Sequence, residues 1–266
     1  MYTYKREEQK EMRSYPVKKS NVLIQNTVCM LKAQEFDVLQ YLIMKIKDDD
    51  EEIKPVKFDI VEYCKVANIK ASGNNYARVK ESLKALADKS VWTKFPNSDE
   101  EQLVRWIEDP SISKDGEITI QLKKIWEPYL LDLKKRYTVT TLSETLPMKS
   151  VYSKRLYELL VSYTIDKKGY NHIEFSVNEI KQLLLGKDWR KKYKEFKHFN
   201  SRVLLIAVKE INEYGEIHVD LDYVKKSRSV KSIIFITSRK GTQEIVDTTF
   251  NRKDYFDTKD EEIKEK

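Results

Sequence analysis

The chain contains its own pattern twice. Phe58-Asp59-Ile60-Val61-Glu62 returns 117 residues later as Phe175-Ser176-Val177-Asn178-Glu179. Upstream, Leu39, Leu42, Ile43 and Ile46 return at the same offset as Leu156, Leu159, Leu160 and Tyr163. Apolar residues spaced +3, +4 and +7 make one face of a helix. Asp or Ser with Glu three residues later is a capping box, in which the first side chain caps a helix start and the Glu bonds back. Each half therefore holds an amphipathic helix, a short strand ending in Phe, and a second helix with a defined start. Two matching halves predict a duplicated domain. A duplicated small domain predicts a binding protein that reads two similar sites.

Composition bounds what those halves do. A length of 266 residues allows one large domain or two of about 120, and the repeat selects two. Cys29 and Cys64 are the only cysteines and neither lies in a CxxC, so no disulfide framework is expected and a reducing cytoplasm is. Residues 1–19 are charged and lack the apolar core of a signal peptide. The longest apolar runs are far too short to span a membrane, so no membrane partner is expected. His172, His198 and His218 show no metal-ligand spacing. Gly186-Lys187-Asp188 lacks both the earlier glycine and the hydroxyl of a phosphate-binding loop. No His-x-His accompanies the tyrosines as a nicking enzyme would need. No catalytic residues, metal or cofactor are expected.

A pass along the chain predicts its order. Residues 1–19 read as a flexible segment and 22–24 as a strand. A helix over 32–47 precedes a strand at 56–58 and a helix over 59–67. Gly73-Asn74-Asn75 reads as a turn before a helix over 75–89, with Tyr76, Val79, Leu83 and Leu86 on its core face. Alternation over 91–95 and 103–107 about Pro96-Asn97-Ser98 predicts a hairpin, and 117–122 a third strand. Helix, helix, helix, hairpin is the order of a winged helix, a helix-turn-helix with a β wing. Residues 123–147 read as a packed connector, helical over 125–133 and extended over 137–142. The order then repeats: helix 151–164, strand 173–175, helix 176–185, helix 191–213, strands 217–224 and 230–237. Residues 241–266 read as a flexible tail. The expected class is α+β, two tandem winged-helix domains over 20–122 and 148–240.

Charge locates the expected binding surface. Residues 187–240 hold 14 Lys/Arg and 7 Asp/Glu, so the whole net charge of +7 arises there. A localised basic surface is the footprint of a polyanion partner, although a basic stretch can also be a solvated face. In a helix-turn-helix the second helix enters the major groove with its N-terminal residues on base edges. On the last helix Phe196, Val203, Leu204, Ala207 and Ile211 share the core face. Lys194, His198, Ser201, Arg202, Leu205 and Lys209 lie opposite. Lys191, Lys192, Lys194, Lys197, His198, Ser201 and Arg202 fall in the reading part. Arg bonds guanine O6 and N7 together, which makes Arg202 the first candidate for base readout. Lysines more often hold phosphate, which positions without specifying. Lys225, Lys226 and Arg228 at the hairpin tip, with Lys231 beside them, fit a wing along the backbone. The first hairpin carries Asp99, Glu100 and Glu101 instead, which phosphates repel. In the first half Asn74, Asn75, Arg78, Ser82 and Lys84 lie off the core face as candidate contacts. Asn matches adenine, but Asn74-Asn75 reads equally as a helix cap.

These residues resemble a known family, the Rep_3-type replication initiators of iteron-controlled plasmids. Five segments carry the resemblance in order: 19–24; Tyr152-Ser153-Lys154-Arg155-Leu156-Tyr157-Glu158-Leu159-Leu160; 175–184; 203–212; and Val230-Lys231-Ser232-Ile233-Ile234-Phe235. It covers roughly residues 19–238 and is weaker in the first half. The resemblance implies a monomer on direct repeats (iterons) of double-stranded DNA at an origin, each winged helix in one of two successive major grooves. It further implies origin opening with host replication factors, including the replicative helicase, and in some members a homodimer that represses its own gene. Two rivals stand beside it. A double winged-helix transcriptional regulator would present the same surface without a replication role. A winged-helix protein-interaction scaffold would need an exposed apolar patch.

Overall fold

The computed structural model describes residues 13–28, 31–94, 100–164 and 169–240. Expectations for residues 1–12, for the turn at 96–99 with Asp99, and for 241–266 lie outside these residues. The first unit runs β1 (Pro16–Ser20), α1 (Asn21–Asn26), α2 (Ala33–Met44), β2 (Val56–Asp59), α3 (Ile60–Ala67) and α4 (Gly73–Asp88). It continues with the hairpin β3 (Ser90–Lys94) and β4 (Glu101–Arg105), then β5 (Ser111–Ile112) and β6 (Glu117–Ile120). A 3-10 turn (Lys124–Trp126) and α5 (Glu127–Leu130) lead to β7 (Tyr137–Thr141) and α6 (Leu142–Thr145). The second unit holds α7 (Val151–Tyr163), β8 (Asn171–Ser176), α8 (Val177–Leu185), α9 (Phe196–Phe199), a π turn (Asn200–Leu204), α10 (Leu205–Tyr214), β9 (Ile217–Lys226) and β10 (Ser229–Arg239).

The helix starts behave as their side chains require, with one instructive exception. At α8, Ser176 Oγ accepts from the Glu179 N–H at 3.2 Å and the Glu179 carboxylate accepts from the Ser176 N–H at 2.8 Å. At α3, Asp59 accepts from the Glu62 N–H at 2.6 Å. Glu62 does not bond back. It accepts instead from the Tyr41 hydroxyl at 2.8 Å and from Lys45 Nζ at 2.7 Å, tying α3 to α2. The end of α3 is set by Asn68, left-handed at φ 58, the conformation that frees terminal carbonyls to be capped.

Several expectations need correction. Residues 22–24 are helical, not a strand. Ser20 caps α1 by accepting from the Leu23 N–H, and a short apolar run cannot distinguish a buried helix from a strand. The segment expected to be flexible up to residue 19 ends in β1, which pairs antiparallel with β7 from Pro16↔Thr141 to Ser20↔Tyr137. Gly73 to Asn75 form the first turn of α4, capped by Ser72. Tyr76 is exposed rather than on the core face, and Ser82 is buried rather than off it, its hydroxyl donating to the Arg78 carbonyl at 2.9 Å. The last helix begins at Phe196, not at 191, because Tyr193 sits at φ 48 and breaks the run.

The two sheets differ in a way that matters for the wings. In the second half β10 lies between β8 and β9, so the wing hairpin is continuous with the domain's sheet. In the first half β6 pairs with β2 and β5, leaving β3–β4 as a separate two-stranded ribbon. Each half has its own apolar core, one around Tyr41, Tyr63, Trp106 and Trp126, the other around Leu156, Tyr157, Phe199 and Phe235. The connector belongs to the first. Trp126 stacks on Trp106 with centroids 4.5 Å apart, and its indole N–H donates to the Arg105 carbonyl at 2.9 Å. Helix α1 is shared, with Leu23 in the first core and Ile24 in the second.

Close packing at the end of α10 gives a test of this arrangement. A Cβ added at Gly215 would lie 2.7 Å from Tyr157 Cε2 and 3.0 Å from the Ile211 carbonyl oxygen. Tyr157 is fully buried and cannot swing away. Gly215→Ala is expected to destabilise the protein by about 1–3 kcal/mol, the usual range for overpacking. Thermal unfolding of the variant should show a lowered midpoint, and an unchanged midpoint would mean the α7–α10 contact is looser than described.

Candidate nucleic-acid interface

The basic surface of the second half is built by three pieces that hold one another. The turn after α8 carries Arg190, Lys191, Lys192 and Lys194, all exposed. It is anchored from below by Lys181, whose buried ammonium donates to the Tyr193 carbonyl at 2.8 Å and lies over the Phe199 ring. Burial pushes the Lys181 ammonium down from the usual lysine range. That anchor holds Tyr193 in its left-handed conformation and aims the following helix. Lys191, Lys192 and Lys194 thus present their charges from the turn ahead of the helix, not from its first turns.

Along the helix Lys197, His198, Ser201 and Arg202 are exposed, while Phe199, Val203, Leu204, Ala207 and Ile211 are buried. His198 lies 3.7 Å from the Glu195 carboxylate, an exposed pair. The π turn at Asn200–Leu204 widens the helix where Ser201 and Arg202 project, a distortion common at functional sites. Leu205 and Ile206 follow it at the surface, 49% and 44% exposed. Residue 206 sits inside the apolar run 203–208, so periodicity alone gives it no exposed role. An apolar side chain on a groove-facing helix can touch a thymine methyl.

The wing is tied to that helix. The Tyr223 hydroxyl donates to Asn200 Oδ1 at 2.8 Å, and the Tyr223 and Phe196 rings meet edge to face at 5.7 Å. Strands β9 and β10 extend past this contact to a two-residue turn, with Ser227 at φ 57 making the bend. Lys225, Lys226 and Arg228 are exposed at the tip. The ladder slips between Val230 and Ser232, leaving Lys231 in a bulge, exposed beside the tip cations. The structure therefore brings the helix cations and the wing cations onto connected elements of one domain.

The first half is different. Asn74, Arg78 and Lys84 are exposed on α4, whereas Asn75 is half-buried and its side-chain amide donates to the Lys70 carbonyl at 2.7 Å. Asn75 is thus spent on the loop before the helix. Tyr76, which the periodicity placed on the core face, and Lys80, which it did not single out, share the exposed surface. The β3–β4 ribbon ends in exposed Glu100 and Glu101 and carries Trp92 and Leu103 paired across the strands, 52% and 54% exposed.

Among the described residues no group of three or more His, Cys, Asp or Glu could hold a metal ion. No helix among them is long and apolar enough to cross a membrane.

Comparison with known proteins fits this geometry. Residues 16–161 match the family model described as Initiator Replication protein, WH1, and residues 176–237 match Initiator Rep protein, WH2. The first match runs through the connector and most of α7. A replication initiation protein of Escherichia coli is 26% identical over 191 residues, covering 71% of this chain and 58% of that protein. The PI protein of Escherichia coli is 32% identical over 131 residues, covering 46% of this chain and 43% of that protein. The chain therefore spans less than two thirds of the length of either relative. The crystal structure of Pi initiator protein in complex with iteron DNA has a TM-score of 0.71 at 22% identity, covering 85% of this chain and 97% of that one, which shows a common fold. With both domain models of one family matched in order along it, the chain belongs to the initiator replication proteins.

Proposed function

We propose that the protein is a plasmid replication initiator that binds directly repeated double-stranded DNA sites at an origin, with one winged helix in each of two successive major grooves. The observation that carries this reading is the second domain's surface: a groove-sized helix and a wing, hydrogen-bonded through Tyr223 and Asn200, present Lys197, Arg202, Lys226 and Arg228 together. Family membership and the described complex of Pi initiator protein with iteron DNA support it. Lys191, Lys192, Lys194, Lys225 and Lys231 are assigned to phosphate. Arg202, with Ser201 and His198 beside it, is assigned to base edges, and Leu205 and Ile206 to thymine methyls. In the first domain Asn74, Arg78 and Lys84 are assigned to the second groove. Asn75 is not, since its amide is already bonded.

The first ribbon is assigned to protein rather than DNA. Glu100 and Glu101 repel phosphates, while Trp92 and Leu103 offer apolar surface to a partner. Host replication factors such as the replicative helicase, and a second copy in a self-repressing dimer, are the partners that the family likeness implies. A pure regulator would share the DNA surface but act at a lone palindrome, so direct repeats flanking the gene favour the initiator. A pure protein scaffold would bind with negligible salt dependence, because only phosphate contacts release counterions.

Replacing Arg202 tests base readout. Arg202→Ala is expected to cost roughly 1–3 kcal/mol on the cognate repeat and to relax preference at one position. Equal losses on cognate and scrambled duplexes would reduce Arg202 to a phosphate contact.

The wings should respond oppositely. Neutralising Lys226 and Arg228 should weaken binding to every sequence and flatten the salt slope by about 1 per lost phosphate contact. Neutralising Glu100 and Glu101 should leave DNA affinity intact. Loss of affinity from the second change would contradict the assignment of that ribbon to protein.

One chain should span one repeat. Successive major grooves on one face of DNA lie about 34 Å apart. Inserting about five base pairs between half-sites turns one groove to the far side and should abolish tight binding. Light scattering of the complex should give one chain per repeat. Two chains per repeat, or indifference to the insertion, would favour a dimeric regulator.

A further inference from the structure

The helix that opens the second half carries charges where water cannot reach them. On α7, Lys154 and Glu158 are each 1% exposed and Arg155 is buried beside them. Their partners come from the first half. Lys154 Nζ donates to Asp37 Oδ1 at 2.7 Å, and to the Thr145 carbonyl at 2.6 Å. Glu158 pairs with Lys19 of β1 and accepts from the Gln40 amide of α2. Arg155 donates to the Ile24 and Thr27 carbonyls at the end of α1. Asn21 of α1 adds a bond to the Ser162 carbonyl at 2.9 Å.

Two facts set this cluster apart from ordinary stabilising contacts. First, Asp37 and Lys154 are 117 residues apart, the offset of the internal repeat. They are the same position in the two copies of one helix. Opposite charges there favour α2 against α7 within a chain, and disfavour α2 against α2 or α7 against α7 between chains, where like would meet like. Second, burial works against the pair. Burial raises the Asp37 carboxyl to about 6 although an ammonium lies beside it. Desolvation thus outweighs attraction, as is common for buried ion pairs, whose best-attested use is to fix register. An apolar contact tolerates a slide of an ångström or two, whereas a slide here leaves a buried charge unpaired.

The cluster also stands between the two reading helices. Helix α2 packs directly on α4, and α7 packs on the π turn and on α10. We propose that these buried ion pairs set the relative orientation of the two reading helices, and so fix the half-site spacing the chain accepts. Asp37, Lys154, Lys19 and Glu158 are positioning residues that touch no DNA. This inference rests on the two-groove reading above.

The test combines Lys19→Met, Asp37→Asn, Lys154→Met and Glu158→Gln, removing both pairs; Arg155, whose guanidinium lies 4.0 Å from the Glu158 carboxylate, keeps its bonds to the Ile24 and Thr27 carbonyls. Affinity is measured on duplexes with native spacing and with two base pairs added, beside thermal unfolding. Two base pairs shift the second half-site by about 7 Å and turn it by about 70°. The wild-type chain should lose roughly a hundredfold, as expected when one helix loses its base contacts. The quadruple variant should stay folded, keep most of its affinity at native spacing, and lose less than about tenfold on the longer duplex. A folded variant with the wild-type penalty overturns the inference and leaves the two-groove reading intact. A variant that cannot fold overturns it as well, because the cluster would then be a stability element. A wild-type chain indifferent to spacing sinks both.

Discussion

Lys154 and Glu158 lie mid-helix with apolar residues of the second core on one side and the first half of the chain on the other. A charge so placed must find its counter-charge across that contact, because an unpaired buried ion costs several kcal/mol. From the first half β1, α1, α2 and the Thr145 carbonyl each satisfy one of the polar groups of α7. The β1–β7 ribbon, at the chain's entry and in the connector, follows from the same need. It delivers Lys19 to Glu158 and places Ser20 to cap α1. The two winged helices are thus one packed body joined through a polar seam, not two beads on a string.

On that frame the two halves have diverged along their hairpins. In the second half the wing is part of a three-stranded sheet and hydrogen-bonded to the helix beside it, with its cations exposed at the tip. In the first half β6 pairs with β2 as β10 pairs with β8, but its other neighbour is β5, and the separate β3–β4 ribbon carries carboxylates with an exposed Trp92–Leu103 pair. The same duplicated fold therefore carries a basic hairpin in one half and an acidic, partly apolar ribbon in the other. Charge sign and strand connectivity diverge together, which a merely weakened second wing would not require.

Much of this was legible in the chain because the repeat, the helix caps and the apolar spacings are local signals. Asp59 and Ser176 start their helices as their side chains require, and Val203, Leu204, Ala207 and Ile211 are buried as their spacing demands. What was not legible depends on contacts distant in sequence. Val22-Leu23-Ile24 reads as a strand until Ser20 is seen to cap a helix wedged between two cores. The start at residue 191 fails because Lys181, ten residues earlier, holds Tyr193 left-handed. Glu62 satisfies the capping-box spacing, yet its carboxylate is taken by Tyr41 and Lys45. The buried ion pairs left no trace, since Lys154 and Glu158 look like ordinary solvated charges on an amphipathic helix.

The π turn shows how a small local departure shapes what the site can recognise. Between Asn200 and Leu204 the helix gains extra residues per turn, so the faces before and after it no longer share one 3.6-residue register. Phe199, Val203 and Leu204 stay in the core. Leu205 and Ile206, three and four residues after Arg202 and so on its face of the helix, both reach the surface. Asn200 begins the π turn and accepts from the Tyr223 hydroxyl of the wing, so the distortion is tied to the wing. In this domain the wing therefore also sets the geometry through which the helix would read.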